Sequence, residues 1–432
     1  MIASIIIAAI SCAALIASVI FLPEIKIKRV TLPVYPFVAL IGAIVSVAAT
    51  PLTLADCAEG ITGSGAVNPL KILALFISVT AVSIFLDEAG FFEFLAGKML
   101  RKAGSSQIKL FFVLYITVSV LTVFTSNDII ILTFTPFIIY FCKSAGIRAL
   151  PYLLAEFVAA NTWSMALIIG NPTNIYLATS AQIDFFGYVK TMILPTVASG
   201  TVSALVLYLL FRKFLKEGFT PPQTEVAVKS KPMCVLGVAV LAVCTISLAV
   251  SGFIGVEMWI ECLACAGVLI LIALIICAVQ RKKPAIVGKT LLRLPYQLIP
   301  FVLGMFVISL SLDKTEVTAK IASAFSSCEL PLYGVTSFIA SNLMNNIPMS
   351  IVYSSMISAG NGGEGAVYAS IIGSNLGAIL TPVGALAGIM FSSITHKHGV
   401  KISAFTFIKY GACISVVSLA AALATLYAVL LI

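Results

Sequence analysis

Two short polar stretches interrupt apolar sequence and carry the side chains best suited to bind a polar solute. The first is Ser126-Asn127-Asp128, which separates apolar runs at 110–123 and 129–141. The second, Ser341 to Asn346, lies between two apolar runs in the same way. Their hydroxyl and amide groups both donate and accept hydrogen bonds, and Asp128 adds a carboxylate. The sequence therefore indicates two polar sites of related composition in apolar surroundings.

Asp128 is the carboxylate expected deepest in the protein. At the centre of a bilayer a carboxylate costs ~2.5 to 3.5 kcal/mol on translocon scales, unless protein or water surrounds it. A proton or a bound cation would offset that cost, so Asp128 is the candidate for coupling to H⁺ or Na⁺. The alternative is that Asp128 only caps the helix that follows it. Glu156, expected about two turns from a helix end, is predicted to extend its carboxylate to the interface.

Two helix breaks supply the remaining candidates. Pro172 and Pro382 interrupt apolar segments at 150–179 and 366–395, which are longer than a single span needs. Non-helical backbone at membrane depth requires protein or a water-lined cavity around it, so the breaks and the polar stretches should meet. The predicted substrate-binding residues are Ser126, Asn127, Asn171, Thr173, Asn174, Ser341, Asn342, Asn345, Asn346 and Thr381. Four nearby residues, Asn161, Ser164, Ser374 and Asn375, could line the same site or join helices.

Composition defines the class of protein that must position these residues. Of the 432 residues, 60% are hydrophobic and 10% charged, far from soluble averages of ~45 to 50% and ~25%. This predicts an all-α, multi-pass protein of the cell (inner) membrane without a soluble domain. The net charge of +9 is spread between apolar spans, which favours the positive-inside rule over nucleic-acid binding. An enzyme is not expected. An intramembrane enzyme would need a nucleophile paired with a histidine or a second carboxylate, and neither histidine lies deep in an apolar run.

Ten cysteines show no repeated spacing, so they indicate neither a disulfide framework nor a zinc site, and no cofactor is expected. The only CxxC motif is Cys262-Leu263-Ala264-Cys265. A thiol pair could bind a soft metalloid, but in an apolar helix packing is the expected role.

The apolar runs beside each polar stretch are short. Those beside Asp128 are about 14 residues each, whereas a membrane-spanning helix needs ~20. The sequence therefore predicts re-entrant hairpins at 108–142 and 331–357, each preceded by an amphipathic helix, together with ten full crossings. If successive crossings end on opposite sides of the membrane, 22 of the 26 basic residues lie in the cytoplasm. The four that remain outside are Lys71, Lys190, Lys314 and Lys320. Both termini are then external.

The two hairpins and the two breaks recur at half the chain length. The tips at Ser126 and Ser341 are 215 residues apart, and Pro172 and Pro382 are 210 apart. Residues 1–211 and 233–432 are the predicted halves, joined by a cytoplasmic linker at 212–232. Since the hairpins would enter from opposite sides, this is an inverted repeat, an architecture of secondary transporters. A small polar or ionic solute is the expected substrate.

Specific motifs resemble the arsenite permease (ArsB-type) family. They are the runs from Ser341 to Pro348, from Val367 to Gly377 and from Leu380 to Ala387 in the second half. The first half is similar in Ser126-Asn127-Asp128 and in Asn171-Pro172-Thr173-Asn174. That family belongs to the ion transporter superfamily, with NhaD-type Na⁺/H⁺ antiporters and citrate and divalent anion:sodium symporters.

The resemblance implies a scaffold domain and a transport domain, usually in a homodimer with an elevator-like motion. It also implies proton-coupled export of arsenite or antimonite, sometimes with a cytoplasmic ATPase partner. Asn161 and Asn375 stand where the family pattern has acidic residues, and Ile379 stands where it has a base. Ser-Asn at both tips also resembles the sodium-binding motif of the anion symporters. Na⁺-coupled symport of a carboxylate or other small anion is therefore the alternative, and Na⁺/H⁺ antiport the third.

Overall fold

The computed structural model describes residues 1–22, 24–27, 30–63, 68–220 and 228–431. The first half of these begins with a helix, a two-stranded antiparallel sheet and nine further helices. They are α1 (Ile2–Phe21), β1 (Glu24–Ile27), β2 (Val30–Pro33), α2 (Tyr35–Ala49), α3 (Leu54–Thr62), α4 (Pro69–Glu88), α5 (Phe91–Ala103), α6 (Gln107–Phe124), α7 (Asn127–Ala145), α8 (Leu150–Trp163), two turns of 3-10 helix (Ser164–Ala166 and Ile168–Gly170), α9 (Pro172–Ser180) and α10 (Phe185–Phe211).

The second half is helical throughout its described residues. Its elements are α11 (Lys231–Ile254), α12 (Met258–Val279), α13 (Ala285–Leu292), α14 (Leu298–Lys314), α15 (Val317–Phe325), α16 (Glu329–Met344), α17 (Asn346–Ala359), α18 (Glu364–Gly377), α19 (Leu386–Lys397) and α20 (Ala404–Leu430). Residues 221–227, in the predicted linker, lie outside the described part of the chain.

The helices confirm a multi-pass membrane protein. Among the described residues, eight helices are long and apolar enough to cross a bilayer, and α14 and α15, bent by 77°, make a ninth if they form one span.

The prediction for the first hairpin was wrong in one respect. Its arms α6 and α7 have 18 and 19 residues, not about 14, because both helices continue through flanking polar residues. Arm length alone therefore does not make this pair re-entrant. The arms α16 and α17 have 16 and 14 residues.

The two halves repeat one order of helices. In both, a long helix (α4 or α14) is followed by a short amphipathic helix, two helices joined at a Ser-Asn stretch, a broken helix and a long terminal helix. Packing repeats as well: α2 packs on α14 while α12 packs on α4, and α6 and α16 pack on α8 and α18. The terminal helices α10 and α20 contact each other, and the hydroxyls of Ser203 and Ser418 lie 2.7 Å apart between them.

Contacts between charged residues separate the two ends of the molecule. Lys71 pairs with Glu257 at 2.6 Å and Lys314 with Asp56 at 2.9 Å, both between residues expected on the external side. We call this the Lys71 end. Arg293 pairs with Asp87 at 2.7 Å, between residues expected in the cytoplasm, and we call this the Arg293 end. The ion pairs of the described residues thus follow the alternation that the basic residues predict.

Three short elements were not predicted. Strands β1 and β2 pair from Glu24 opposite Pro33, in a segment expected to be a charged loop followed by a span. Helix α3 also replaces a predicted loop, and it begins with a capping box in which Thr53 and Asp56 bond each other's backbone N–H. Helix α13 lies within the basic stretch 281–293. The sheet and these helices cover the two ends of the bundle.

Small residues bring α16 and α18 into close contact beside the second polar stretch. A Cβ on Gly373 would lie 2.0 Å from the Ser337 hydroxyl, and one on Gly377 would lie 2.3 Å from the Ser341 hydroxyl. Such spacing of small residues allows helix backbones to approach in membranes. It fixes the tip of α16 against the second helix break.

Candidate functional site

A cavity of about 1090 Å³ runs from the first turn of α7 to the Arg293 end. Its inner part is formed by α7, α4 and the second helix break, and its outer part by β1, α19 and the segment before α14. The lining includes Thr80, Ser126, Asp128, Ile129, Pro382 and Val383 inside, and Glu24, Arg293, Gln297 and His396 outside. Because Glu24 and His396 are exposed, the cavity opens to the surface at this end.

Asp128 lies in the first turn of α7 and is half-buried at the inner part of the cavity. Its carboxylate accepts no hydrogen bond from the described residues, and Ser126, at the N-cap position, makes no side-chain cap. The predicted capping role of Asp128 is therefore not what the structure shows. The Ser126 hydroxyl is buried without a partner. The positive end of the α7 dipole lies at the same point, which favours a negative or hydrogen-bonding solute.

Asn375 on α18 is the centre of a buried amide network that joins the two halves. Its Oδ1 accepts from the Ser164 hydroxyl at 2.9 Å and from Asn171 Nδ2 at 3.0 Å. Its Nδ2 donates to Asn174 Oδ1 at 2.8 Å. Asn346 Nδ2 reaches Asn171 Oδ1 at 3.5 Å. Of the two roles left open for Ser164 and Asn375, the structure therefore shows that they join helices.

The second polar stretch docks onto the second break. Asn342 donates to the Gly377 carbonyl at 2.9 Å and accepts from the Thr381 hydroxyl at 2.6 Å. Asn345, with φ of 72°, donates to the Val383 carbonyl at 3.2 Å. Ser341 bonds only within its own helix, to the Phe338 carbonyl. Asn342 and Asn345 therefore hold the junction of α16 and α17 to the break, and neither they nor Ser341 line the large cavity.

Asn127 and Asn161 form a separate pair. Asn127 Nδ2 donates to Asn161 Oδ1 at 3.2 Å, and Asn161 donates to the Phe157 carbonyl four residues before it. Asn375 donates to the Ile371 carbonyl in the same way. Asn161 and Asn375 thus occupy equivalent places in the two halves.

Several buried polar atoms near the breaks have no hydrogen-bond partner among the described residues, and five of them belong to the polar stretches or to predicted site and neighbouring residues. They are Ser126 Oγ, Asn127 Oδ1, Thr173 Oγ1, Asn346 Oδ1 and Ser374 Oγ. Buried polar groups in native proteins are nearly always paired, so such atoms are the ones free to bind a solute or ion. Of the predicted site residues, only Ser126 and Asp128 line the large cavity.

The prediction for Glu156 was wrong. Its side chain does not reach the interface but is fully buried, 0% exposed, between α7 and α8. The Thr135 hydroxyl on α7 lies 2.9 and 3.1 Å from its two oxygens. No salt bridge to Glu156 exists among the described residues. Because the partner belongs to another helix, the sequence contained no sign of this contact.

Arg293 and two carboxylates lie at the mouth of the cavity. Arg293 Nη1 donates to Asp87 at 2.7 Å and to Glu88 at 2.5 Å. Partial burial acts to lower the pKa of Arg293, but the hydrogen bonds to Glu88 and Asp87 outweigh it and raise the pKa. Asp87 also accepts from the Thr133 hydroxyl of α7 at 2.6 Å. Helix α7 is therefore tied to the end of α4 at the Arg293 end.

A second cavity, of about 600 Å³, lies at the Lys71 end and is lined by Glu59, Asp313, Glu316 and Ser355 among others. It contains none of the predicted site residues. No group of three or more His, Cys, Asp or Glu residues in the described ranges could hold a metal ion.

The helical bundle with its interior cavity defines a polytopic membrane transporter. Residues 26–373 match the family model described as "Citrate transporter", so the chain belongs to that family. It is 27% identical to the arsenical pump membrane protein of Escherichia coli K12, over 76% of this chain and 80% of that protein. It is 24% identical to the putative arsenical pump membrane protein of Bacillus subtilis 168, over 86% and 89%. These relatives confirm the resemblance found in the motifs.

The fold is also similar to a solved structure, the YdaH transporter of Alcanivorax borkumensis. The match has a TM-score of 0.57 at 14% sequence identity and covers 98% of this chain and 97% of the other. At this identity the likeness concerns the fold.

Proposed function

We propose that this chain is a secondary active transporter that exports arsenite or antimonite in exchange for protons. The cavity that ends at Ser126 and Asp128 supports this proposal most directly, because it connects one surface to the interior carboxylate at a helix N-terminus. The inner lining combines hydroxyls with apolar residues, which suits a neutral trihydroxyl solute. The similarity to arsenical pump membrane proteins over three quarters of the chain supports the substrate.

In this proposal the two halves form an inverted repeat with re-entrant hairpins, and the Arg293 end faces the cytoplasm. Both termini then lie outside the cell membrane, and the conformation described is open to the cytoplasm. The repeated helix order and the same-end ion pairs support this arrangement. A homodimer, an elevator-like motion and a cytoplasmic ATPase partner belong to the proposal only through the family resemblance.

Two carboxyl groups could carry the coupling proton. Asp128 contacts the cavity, whereas Glu156 on α8 lies beside Thr135, which is seven residues after Asp128 on α7. An ionised Glu156 without a cation partner would be costly in this position, so a protonated form is expected in the conformation described. We propose that Asp128 exchanges protons with the cavity and that Glu156 responds to the movement of α7.

Na⁺-coupled symport of a carboxylate or other small anion is the second candidate. The Arg293 guanidinium at the cavity mouth would attract an anion, and the unpartnered oxygens of Ser126 and Asn127 are typical ligands for a small cation. The family description as citrate transporter agrees with this candidate. Na⁺/H⁺ antiport is third, and it is supported by two interior carboxyl groups, Asp128 and Glu156, on which protons could be exchanged.

Uptake of arsenite into everted vesicles, under an imposed pH gradient with and without Na⁺, separates these functions. Proton-coupled export predicts accumulation that collapses with the pH gradient and is indifferent to Na⁺. Accumulation that requires Na⁺ but not the gradient would overturn proton coupling, and no accumulation of arsenite or antimonite would overturn the substrate.

Variants assign the coupling carboxyl. Asp128→Asn and Glu156→Gln should abolish gradient-driven accumulation while leaving arsenite exchange across the vesicle membrane. Asp184→Asn is the matched control, because Asp184 caps α10 at the surface. If either interior variant accumulates arsenite like the parent protein, that carboxyl does not couple.

A further inference from the structure

Two buried thiols face each other between α11 and α12, outside the lining of either cavity. Cys244 Sγ lies 3.8 Å from Cys262 Sγ, and the two residues are 3% and 1% exposed. Cys265 follows one turn later on α12 and is partly buried. The CxxC motif is therefore only part of the arrangement, because a thiol from the neighbouring helix lies opposite its first cysteine.

A carboxylic acid precedes Cys262 on α12. Glu261 is 7% exposed, and neither of its carboxylate oxygens has a hydrogen-bond partner among the described residues. It does not complete a three-ligand set with the thiols, because no group of three His, Cys, Asp or Glu residues in the described ranges could hold a metal ion. The site therefore points to a ligand that two sulfur atoms bind.

We propose that Cys244 and Cys262 form a dithiol site for a trivalent arsenic or antimony hydroxide, a ligand class that rests on the proposed function. Thiols are soft ligands that select soft elements. Arsenic trihydroxide reacts with two thiols to form two As–S bonds while two As–O bonds break. Each thiol proton leaves with a hydroxide as water, and no oxidant or reductant takes part. The product keeps one As–OH group.

This ligand class fits better than a metal ion. Zinc normally takes four ligands, and the described residues hold no such set. The arsenic dithiolate is uncharged, so it places no net charge among the apolar side chains of α11 and α12. The pyramidal geometry of trivalent arsenic also holds two sulfurs close together, as Cys244 and Cys262 are, whereas linear coordination holds them further apart.

Binding of phenylarsine oxide tests the site on the purified full chain. The probe condenses with two thiols and releases one water, and adducts on single thiols are removed by a 2-mercaptoethanol wash. Intact-protein mass spectrometry should show one wash-resistant adduct per chain, released by 2,3-dimercaptopropanol. Cys244→Ser and Cys262→Ser should each lose it. Cys277→Ser is the control and should keep the adduct. Cys277 is also buried on α12, but no thiol contacts it among the described residues.

Three outcomes would overturn the proposal: no wash-resistant adduct on the parent protein, an adduct that survives Cys244→Ser, or one that is lost in Cys265→Ser. Size-exclusion chromatography checks that each variant is folded. A measurement on the parent protein needs no variant: arsenite added beforehand should slow N-ethylmaleimide labelling of Cys244 and Cys262, but not of Cys277. Unchanged labelling would refute binding of the hydroxide. Neither assay involves transport, so a failed vesicle experiment and a failed binding experiment are distinct results.

Discussion

The substitution Asn375→Ala should lower the free energy of unfolding, because Asn375 joins the two halves by hydrogen bonds. In Asn375→Ala, Asn171 Nδ2 and Asn174 Oδ1 each lose the partner that Asn375 supplies, whereas Ser164 keeps its bond to the Asn161 carbonyl. An unsatisfied buried polar group costs about 1–3 kcal/mol in soluble proteins. Hydrogen bonds between membrane helices average ~0.6 kcal/mol. Two lost partners therefore give an expected loss of stability of about 1–6 kcal/mol.

Ser374→Ala is the matched control, since Ser374 is the preceding residue and is equally buried but has no partner. Its removal should leave stability unchanged or slightly higher. The assay is thermal unfolding in detergent, followed by size-exclusion chromatography of the remaining folded protein. With ~2 cal/mol/K of unfolding entropy per residue, 1 kcal/mol shifts Tm by about 1 °C if the whole chain unfolds, and by more if helices persist.

The reasoning is refuted if Asn375→Ala and Ser374→Ala unfold at the same temperature. That result would mean that the amide network contributes nothing to the joining of the halves. If Ser374→Ala instead reduces arsenite transport without changing Tm, the free Ser374 hydroxyl contacts the solute.

Three further predictions concern packing, charge and pH. Gly373→Ala should lower Tm, because its Cβ would lie 2.0 Å from a hydroxyl of α16 and overpacking costs about 1–3 kcal/mol, whereas Gly267→Ala, with open space, should not. Arg293→Ala should destabilise the protein by about 1–2 kcal/mol in the same assay, since Asp87 and Glu88, both only 12% exposed, lose their closest cation and Glu88 keeps only Lys289 at 3.8 Å. Lys289→Ala should have no effect, since Lys289 is 66% exposed. The pKa of Asp56 is lowered to about 2, first by the Thr53 backbone N–H and then by Lys314. The cap of α3 should therefore persist above pH ~4 and be lost as the pH falls to about 2. The measurement is hydrogen-exchange protection of residues 54–62, corrected for the pH dependence of the intrinsic exchange rate. Asp56→Asn should remove the pH dependence of this protection.

Apolar periodicity and charge predicted most helices, because lipid requires long apolar segments with polar ends. Helix α12 coincides with an apolar run at 258–279, and α5 coincides with an amphipathic run at 91–103. The lengths of α6 and α7 were underestimated because they were taken from the apolar runs alone, whereas both helices continue through the polar residues at their ends. The β1–β2 hairpin was missed because its basic residues indicate a loop equally well.

The site was predicted in composition but not in connectivity. The polar residues at the breaks do lie in the interior, yet the contacts that divide them among the cavity, the amide network and the docking of α16 involve partners more than 20 residues away. Asn375 as the hub and Glu156 beside Thr135 are contacts of this kind. The free atoms of Ser126 and Asn127 were in the predicted set, which suggests that residue type at a helix break is informative even where its partners are not.

The contact between Ser203 and Ser418 joins corresponding positions of the two halves. These residues are 215 positions apart, the same separation as the two tips, so each meets its own counterpart. Self-complementary contact of this kind is the property of an isologous two-fold interface between identical subunits. The seam between α10 and α20 therefore has, within one polypeptide, the pairing that a two-fold dimer has between two chains.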